Sequence, residues 1–345
     1  MKKIVLLIMC MVIAVLLFGC EKPAALSENE DNNTGNIENI QSTAQSGSPE
    51  CNLPAFEYEF NPHVISKEYV TAYGTGMEEC FYRFCDAVLN GENTFRCATK
   101  EQLLMVITIS RECLPIANEF IDSDKCYVSD GVGHLSYKIG KDELLEEVSK
   151  FKAKVTEVIT SAVPYEEEDF IIAAQLLTAV AHKDEYDFEA AESIDQIMKI
   201  RPYRVIMEDI GICQEIAGEY MYYLLQVGIN ASICDTMTTN TDESHEWTVI
   251  DLDGEHYHVD PTFTVARKDS LAFFCMDDEK RERYADVEFD MAGIGFSGIN
   301  GLHYEMHDQR FKDLWEAESY TIDHENKIIH ITTESGEEKS IPYIH

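Results

Sequence analysis

Residues 211–229 read G-I-C-Q-E-I-A-G-E-Y-M-Y-Y-L-L-Q-V-G-I, and residues 244–263 read S-H-E-W-T-V-I-D-L-D-G-E-H-Y-H-V-D-P-T-F. These two runs decide the fold. Behind Cys213, the apolar residues Ile216, Ala217, Tyr220, Met221, Leu224 and Leu225 recur at helical spacing. Gly228 stands where a chain leaving a helix often turns left-handed. The pattern predicts a helix from about 213 to 227 with Cys213 in its first turn. Backbone N–H groups are unpaired there and the helix dipole favours negative charge, so a thiolate is stabilised and its pKa is expected to fall below that of a free thiol. The same N–H groups are suited to receiving an oxyanion.

The second run is a hairpin. Asp253-Gly254 is a strong two-residue loop signal. With that loop, Leu252 faces Glu255, Trp247 faces Asp260 and His245 faces Thr262. Side chains alternate across a strand, so His245, Trp247 and Val249 share one face with His258 and Asp260. His245 and Asp260 become diagonal neighbours. An acid beside an imidazole fixes its tautomer and stabilises its protonated form. Ile250, Leu252, Tyr257 and Val259 mark the other face as the core side.

A glycine-x-cysteine at a helix start, then histidine-x-tryptophan, then aspartate-proline-threonine, resembles the transglutaminase-like superfamily of papain-like cysteine enzymes. The resemblance covers roughly residues 210 to 280. It implies an α+β fold with a Cys-bearing helix packed on an antiparallel sheet. It also implies Cys213 as nucleophile, His245 as base and Asp260 as its orienter. Where the family usually has alanine after the histidine and asparagine after the tryptophan, this chain has Glu246 and Thr248. Papain-like enzymes carry a glutamine just before the cysteine. Here that place holds Glu208, Asp209 and Ile210, so Tyr203 is considered as the oxyanion donor, with Trp247 and His258 as cleft residues.

The rest of the chain divides by composition. Lys2 and Lys3 precede an apolar run, Ile4 to Phe18, that ends in Leu17-Phe18-Gly19-Cys20. Residues 1–19 are expected to be a lipoprotein signal and Cys20 the lipidated residue, giving an extracytoplasmic protein anchored to the bacterial cell membrane. Residues 20–52, rich in Ser, Asn, Glu and Gly, are expected to be a disordered tether. Residues 53–163 form a helical-rich accessory N-terminal region, 164–295 the catalytic domain on the family resemblance, and 296–345 a strand-rich extension. Helical patterning runs over Met77–Leu89, Gln102–Ile121, Lys141–Ser161 and Glu166–His182. Strands are expected at 126–129 and 134–138, and in the last segment at 319–323, 327–332 and 341–344. The apolar run Leu271–Met276 is expected to be a strand, followed by a helix at 278–284 capped by Asp277.

The 64 acidic against 27 basic residues give a net charge of −37. That excludes nucleic acid as a partner and argues against electrostatic adhesion to anionic lipid. His256 and His258 share a face without a third ligand. His303 and His307 lack a zinc-protease pattern, so no metal or other cofactor is expected. Nor does any cysteine spacing specify a disulfide framework. The function expected is acyl transfer on a cell-surface protein or peptide, as hydrolase, cysteine protease or transamidase. A non-catalytic cell-surface binding module is the alternative. Thiol-redox chemistry is disfavoured because Cys213 has no C-x-x-C partner.

Overall fold

The computed structural model describes residues 53–193, 201–236, 245–285, 291–294 and 304–343. The signal-like segment, Cys20, the tether and His303 lie outside the described residues.

The N-terminal part is helical. Helices α1 (Lys67–Tyr73) and α2 (Thr75–Leu89) lead into the short strand β1 (Thr94–Arg96). Then come α3 (Lys100–Cys113) and α4 (Pro115–Phe120), which divide what the pattern presents as one helix over 102–121. Leu114 precedes a proline, whose ring excludes the helical conformation there, and it sits at φ −154°, ψ 69°. Strands β2 (Tyr127–Ser129) and β3 (Val132–His134) flank Asp130-Gly131, and β3 lies between β1 and β2. The loop is only two residues, so the second strand begins before the expected position 134. Next are α5 (Lys141–Ala162) and α6 (Asp169–Lys183).

Strand β4 (Glu185–Tyr186) and helix α7 (Phe188–Ala191) precede α8 (Pro202–Glu208), β5 (Ile210–Gly211) and α9 (Cys213–Gln226). Every residue of α9 is buried, as befits a helix enclosed on all sides. Its two acids are paired: Glu215 with Arg204 and Glu219 with Lys183. Strands β6 (Ala231–Thr236), β7 (Glu246–Leu252) and β8 (Glu255–Val259) follow, then helices α10 (Pro261–Arg267) and α11 (Asp278–Ala285) and strand β9 (Met291–Ile294). The four strands form an antiparallel sheet in the order β8-β7-β6-β9. Helix α9 lies on it, with Thr248 Oγ1 donating to the Ala217 carbonyl at 3.1 Å. Strands β10 (Ala317–Asp323), β11 (Ile328–Thr333) and β12 (Glu338–Pro342) close the chain as an antiparallel meander.

The β7–β8 register follows from the loop. Asp253 and Gly254 both have positive φ, 57° and 85°, as a type I′ turn requires. Leu252 then pairs with Glu255, Val249 with His258 and Thr248 with Val259. Ile250, Leu252, Tyr257 and Val259 enter a core shared with Phe84 of α2, Phe151 of α5, Leu177 of α6 and Ile331 of β11. Trp247 and Val249 pack on the other face with Cys234 and Met306. Residues 271–276 do not form a full strand. They contact the sheet at one bridge, between His258 and Met276, because the chain turns immediately before and after it.

Candidate active site

Cys213 is the first residue of α9 and is 8% exposed. Ile212 is the N-cap; its N–H donates to Glu215 Oε2 at 3.0 Å, and its carbonyl accepts from Glu215 N at 2.9 Å. Arg204 grips both Glu215 oxygens and also reaches Asp187 at 2.8 Å, so α8 is tied to the mouth of α9. Gly211 is needed because a Cβ there would stand 2.9 Å from Val205 of α8 and 3.2 Å from Glu215. The glycine ahead of the cysteine is thus a packing requirement at the point where α8 meets the helix that carries the sulfur.

His245 immediately precedes β7. Its Nε2 lies 2.8 Å from Asp260 Oδ2, and Cys213 stands near enough to the same ring to favour its protonated form. Its ring meets Phe263 edge-on at 5.3 Å and lies nearly parallel to Trp247 at 5.9 Å. Burial disfavours the imidazolium, but the Asp260 carboxylate and the Cys213 side chain outweigh it and raise the pKa to about 9.

Asp260 is fully buried and does two jobs. As N-cap of α10 its Oδ1 accepts from Phe263 N at 3.3 Å, and Pro261 occupies the first helical position, where the missing N–H costs nothing. Its Oδ2 accepts from His245. Aspartate-proline-threonine is therefore a helix start, and the turn it makes aims the carboxylate back at the histidine.

His258 is also buried. Its Nδ1 accepts from Trp247 Nε1 at 2.9 Å, so the proton of the neutral ring is on Nε2, which faces Asp278 Oδ1 at 3.1 Å. Burial lowers the His258 pKa and the Arg281 cation adds to this, against the opposing pull of Asp278. Tyr203 is elsewhere. Its hydroxyl donates to Glu147 Oε2 at 3.0 Å and its ring packs between Phe120 and Phe151.

Arg281, which sequence reasoning left out, and Glu246, to which it gave no role, border the site. Arg281 of α11 has Nη2 3.5 Å from Asp260 Oδ2, and its guanidinium lies 4.2 Å from the centre of the Trp247 ring. No local signal pointed to it, since its place depends on the chain returning to β8 at Met276. Glu246 pairs with Arg111 of α3 at 3.3 Å, and both are buried. Among the described residues there is no disulfide, no group of three or more residues suited to a metal, and no helix long and apolar enough to cross a membrane.

No family model matches the chain, and no curated protein matches it. Two solved structures share part of its shape. One is "Crystal structure of a TGase", at 13% identity and a TM-score of 0.29, covering 38% of this chain. The other is "The Crystal Structure of a Putative Cysteine Protease from Cytophaga hutchinsonii", at 14% identity and a TM-score of 0.25, covering 33%. The chain spans 40% and 37% of their respective lengths.

Proposed function

We propose that this chain is a thiol acyl-transfer enzyme of the transglutaminase-like kind, acting as a peptide or amide hydrolase or as a transamidase. The observation that carries the reading is that one imidazole, His245, is hydrogen-bonded to a buried carboxylate and stands beside a cysteine at a helix mouth. With Nε2 committed to Asp260, Nδ1 serves the sulfur. The Cys213 thiolate attacks an amide or ester carbonyl carbon, forming the C–S bond as the carbonyl electron pair moves to oxygen. N–H groups of the first turn of α9 receive that oxyanion. The tetrahedral centre collapses, His245 gives its proton to the departing amine or alcohol, and the C–N or C–O bond breaks. Water or a second amine then attacks the thioester. His245 takes the attacker's proton and the sulfur leaves as thiolate. Asp260 holds the ring and stabilises its protonated form throughout.

The proposal includes lipidation at Cys20, a location outside the cytoplasm, and cell-surface proteins or wall peptides as substrates. It is supported by the Lys2-Lys3 start, the apolar run that follows, and the strongly acidic composition. The second reading is a non-catalytic surface-binding module, favoured by the slight exposure of Cys213.

Labelling with iodoacetamide and with a thiol-directed acyl probe separates the two. Burial pushes the thiols of Cys80, Cys85, Cys113 and Cys275 upward, Cys80 to about 12, so these should stay unlabelled near neutral pH. An enzyme is expected to label fastest at Cys213 near pH 6, faster than a free thiol such as Cys51, and to lose that fast labelling in Cys213→Ala and His245→Ala. Equal labelling of wild type and Cys213→Ala, or a Cys213 that reacts no faster than a free thiol, would leave the binding module.

A further inference from the structure

Arg281 is only 2% exposed, although a buried guanidinium is costly unless negative charge and polarisable surface receive it. Here it has both. Its Nη2 is 3.5 Å from Asp260 Oδ2, the oxygen that also serves His245, and its Cζ lies over the Trp247 ring, 4.2 Å from the centre. One turn earlier on the same helix, Asp278 holds His258. Helix α11 thereby brings one charged side chain to each of the two histidine–aspartate pairs. Arg281 also stands near enough to His258 to disfavour its protonation.

We infer that Arg281 is a positioning residue of the acyl-transfer site: it pins the Asp260 carboxylate from a second direction and limits how strongly that carboxylate holds the His245 proton. This role rests on the proposed function, whereas the electrostatic contact can be tested without it. The titratable and charged groups around the pair are Cys213 on α9, His245 before β7, His258 on β8, Asp260 before α10, and Asp277, Asp278 and Arg281 at and within α11. Among them Arg281 supplies a fixed positive charge, since a guanidinium does not titrate in the working range. It offsets part of the carboxylate charge felt by His245. Removing it should let Asp260 pull harder on the imidazolium.

The test is an NMR titration of the His245 ring in the full chain, comparing wild type, Arg281→Gln and Arg281→Lys. The glutamine variant is expected to move the His245 midpoint upward by about half a pH unit or more. The lysine variant, which keeps the charge but not the guanidinium over Trp247, is expected to hold the wild-type midpoint and to slow Cys213 labelling. An unmoved midpoint in Arg281→Gln, or a shift in Arg281→Lys as large as in Arg281→Gln, overturns the inference. Should Arg281→Gln not fold, Arg281→Met is titrated in its place, because its side chain can still lie along the indole. If neither folds while Arg281→Lys does, the residue is structural and the inference falls. The midpoint is read without substrate. A chain that never labels at Cys213 but shows the shift therefore sinks the acyl-transfer reading alone. One that labels but shows no shift sinks only the role of Arg281.

Discussion

Two histidine–aspartate pairs stand close together on one sheet, and they behave oppositely. His245 with Asp260 sits just ahead of β7, and His258 with Asp278 sits on β8. Both rings have a carboxylate at hydrogen-bonding distance, yet the His245 pKa rises and that of His258 falls. The other neighbours make the difference. At His245 the carboxylate is fully buried and the second neighbour is the Cys213 side chain, which favours the imidazolium. At His258 the carboxylate is 21% exposed, so water screens it, and the second partner is the Trp247 N–H. A donor pointed at Nδ1 demands a lone pair there, which holds the ring neutral. A histidine beside an aspartate is therefore not yet a general base; what touches its second nitrogen decides.

The comparison is broken most severely at Asp260. Asparagine can still cap α10, so Asp260→Asn isolates the charge from the helix start. It should lower the His245 pKa and cut the rate of Cys213 acylation by about 10³- to 10⁴-fold, the scale seen when an orienting aspartate is neutralised. The measurement is probe-labelling kinetics at neutral pH alongside circular dichroism to check folding. A loss under tenfold in a folded variant would mean that the two pairs do not differ in the way described.

Next in size is the dependence of stability on pH. A histidine whose pKa is raised on folding stabilises the folded state fully below its unfolded value, near 6.5, and loses that contribution as pH rises through the folded value of about 9. From the shift, the contribution is on the order of 3 kcal/mol. His258 carries the opposite sign. Its neutral form is favoured on folding, so stability is retained above about pH 6.5 and declines as pH falls below it. Urea unfolding of wild type, His245→Gln and His258→Gln across about pH 5 to 10 should show the two differences sloping in opposite directions. Parallel slopes would erase the contrast.

Much of this arrangement was legible in the chain because it is set by short-range rules. Asp253-Gly254 fixes a two-residue turn, the turn fixes register, and register decides which side chains share a face with His245. The apolar spacing behind Cys213 gave the helix, and Gly211 marks the close approach of α8. Arg281 was not legible. Its position depends on residues 271–276 folding back to touch β8 at Met276 before α11 begins, and no local pattern encodes that return. The Arg111–Glu246 pair was hidden for the same reason, with its partners 135 residues apart. Tyr203 failed as a candidate because proximity in sequence to the cysteine helix was its only credential, and the hydroxyl turns to Glu147 on α5 instead. The break at Leu114 could have been read from Pro115, but the apolar pattern continues across it.

The smallest effect is expected at Asp278, where the change is confined to the second pair. Its Oδ1 faces His258 Nε2, and its Oδ2 accepts from Met306 N at 3.0 Å. Both neighbours are donors, so the carboxylate satisfies each with one oxygen. Asparagine has one acceptor and one NH₂ group, so one of the two N–H donors must lose its partner whichever way the amide turns. A buried donor left unpaired costs about 1–3 kcal/mol. Because Asp278 is partly exposed and water can reach it, the low end, about 1 kcal/mol, is expected for Asp278→Asn in urea unfolding near pH 7.5. His258 is neutral at that pH with or without the charge, and Asp260 keeps His245 and Arg281. Cys213 labelling should therefore stay within about twofold of wild type, since nothing it depends on has lost a partner. A loss of labelling comparable to that of Asp260→Asn would mean that the two pairs act as one unit joined through Trp247.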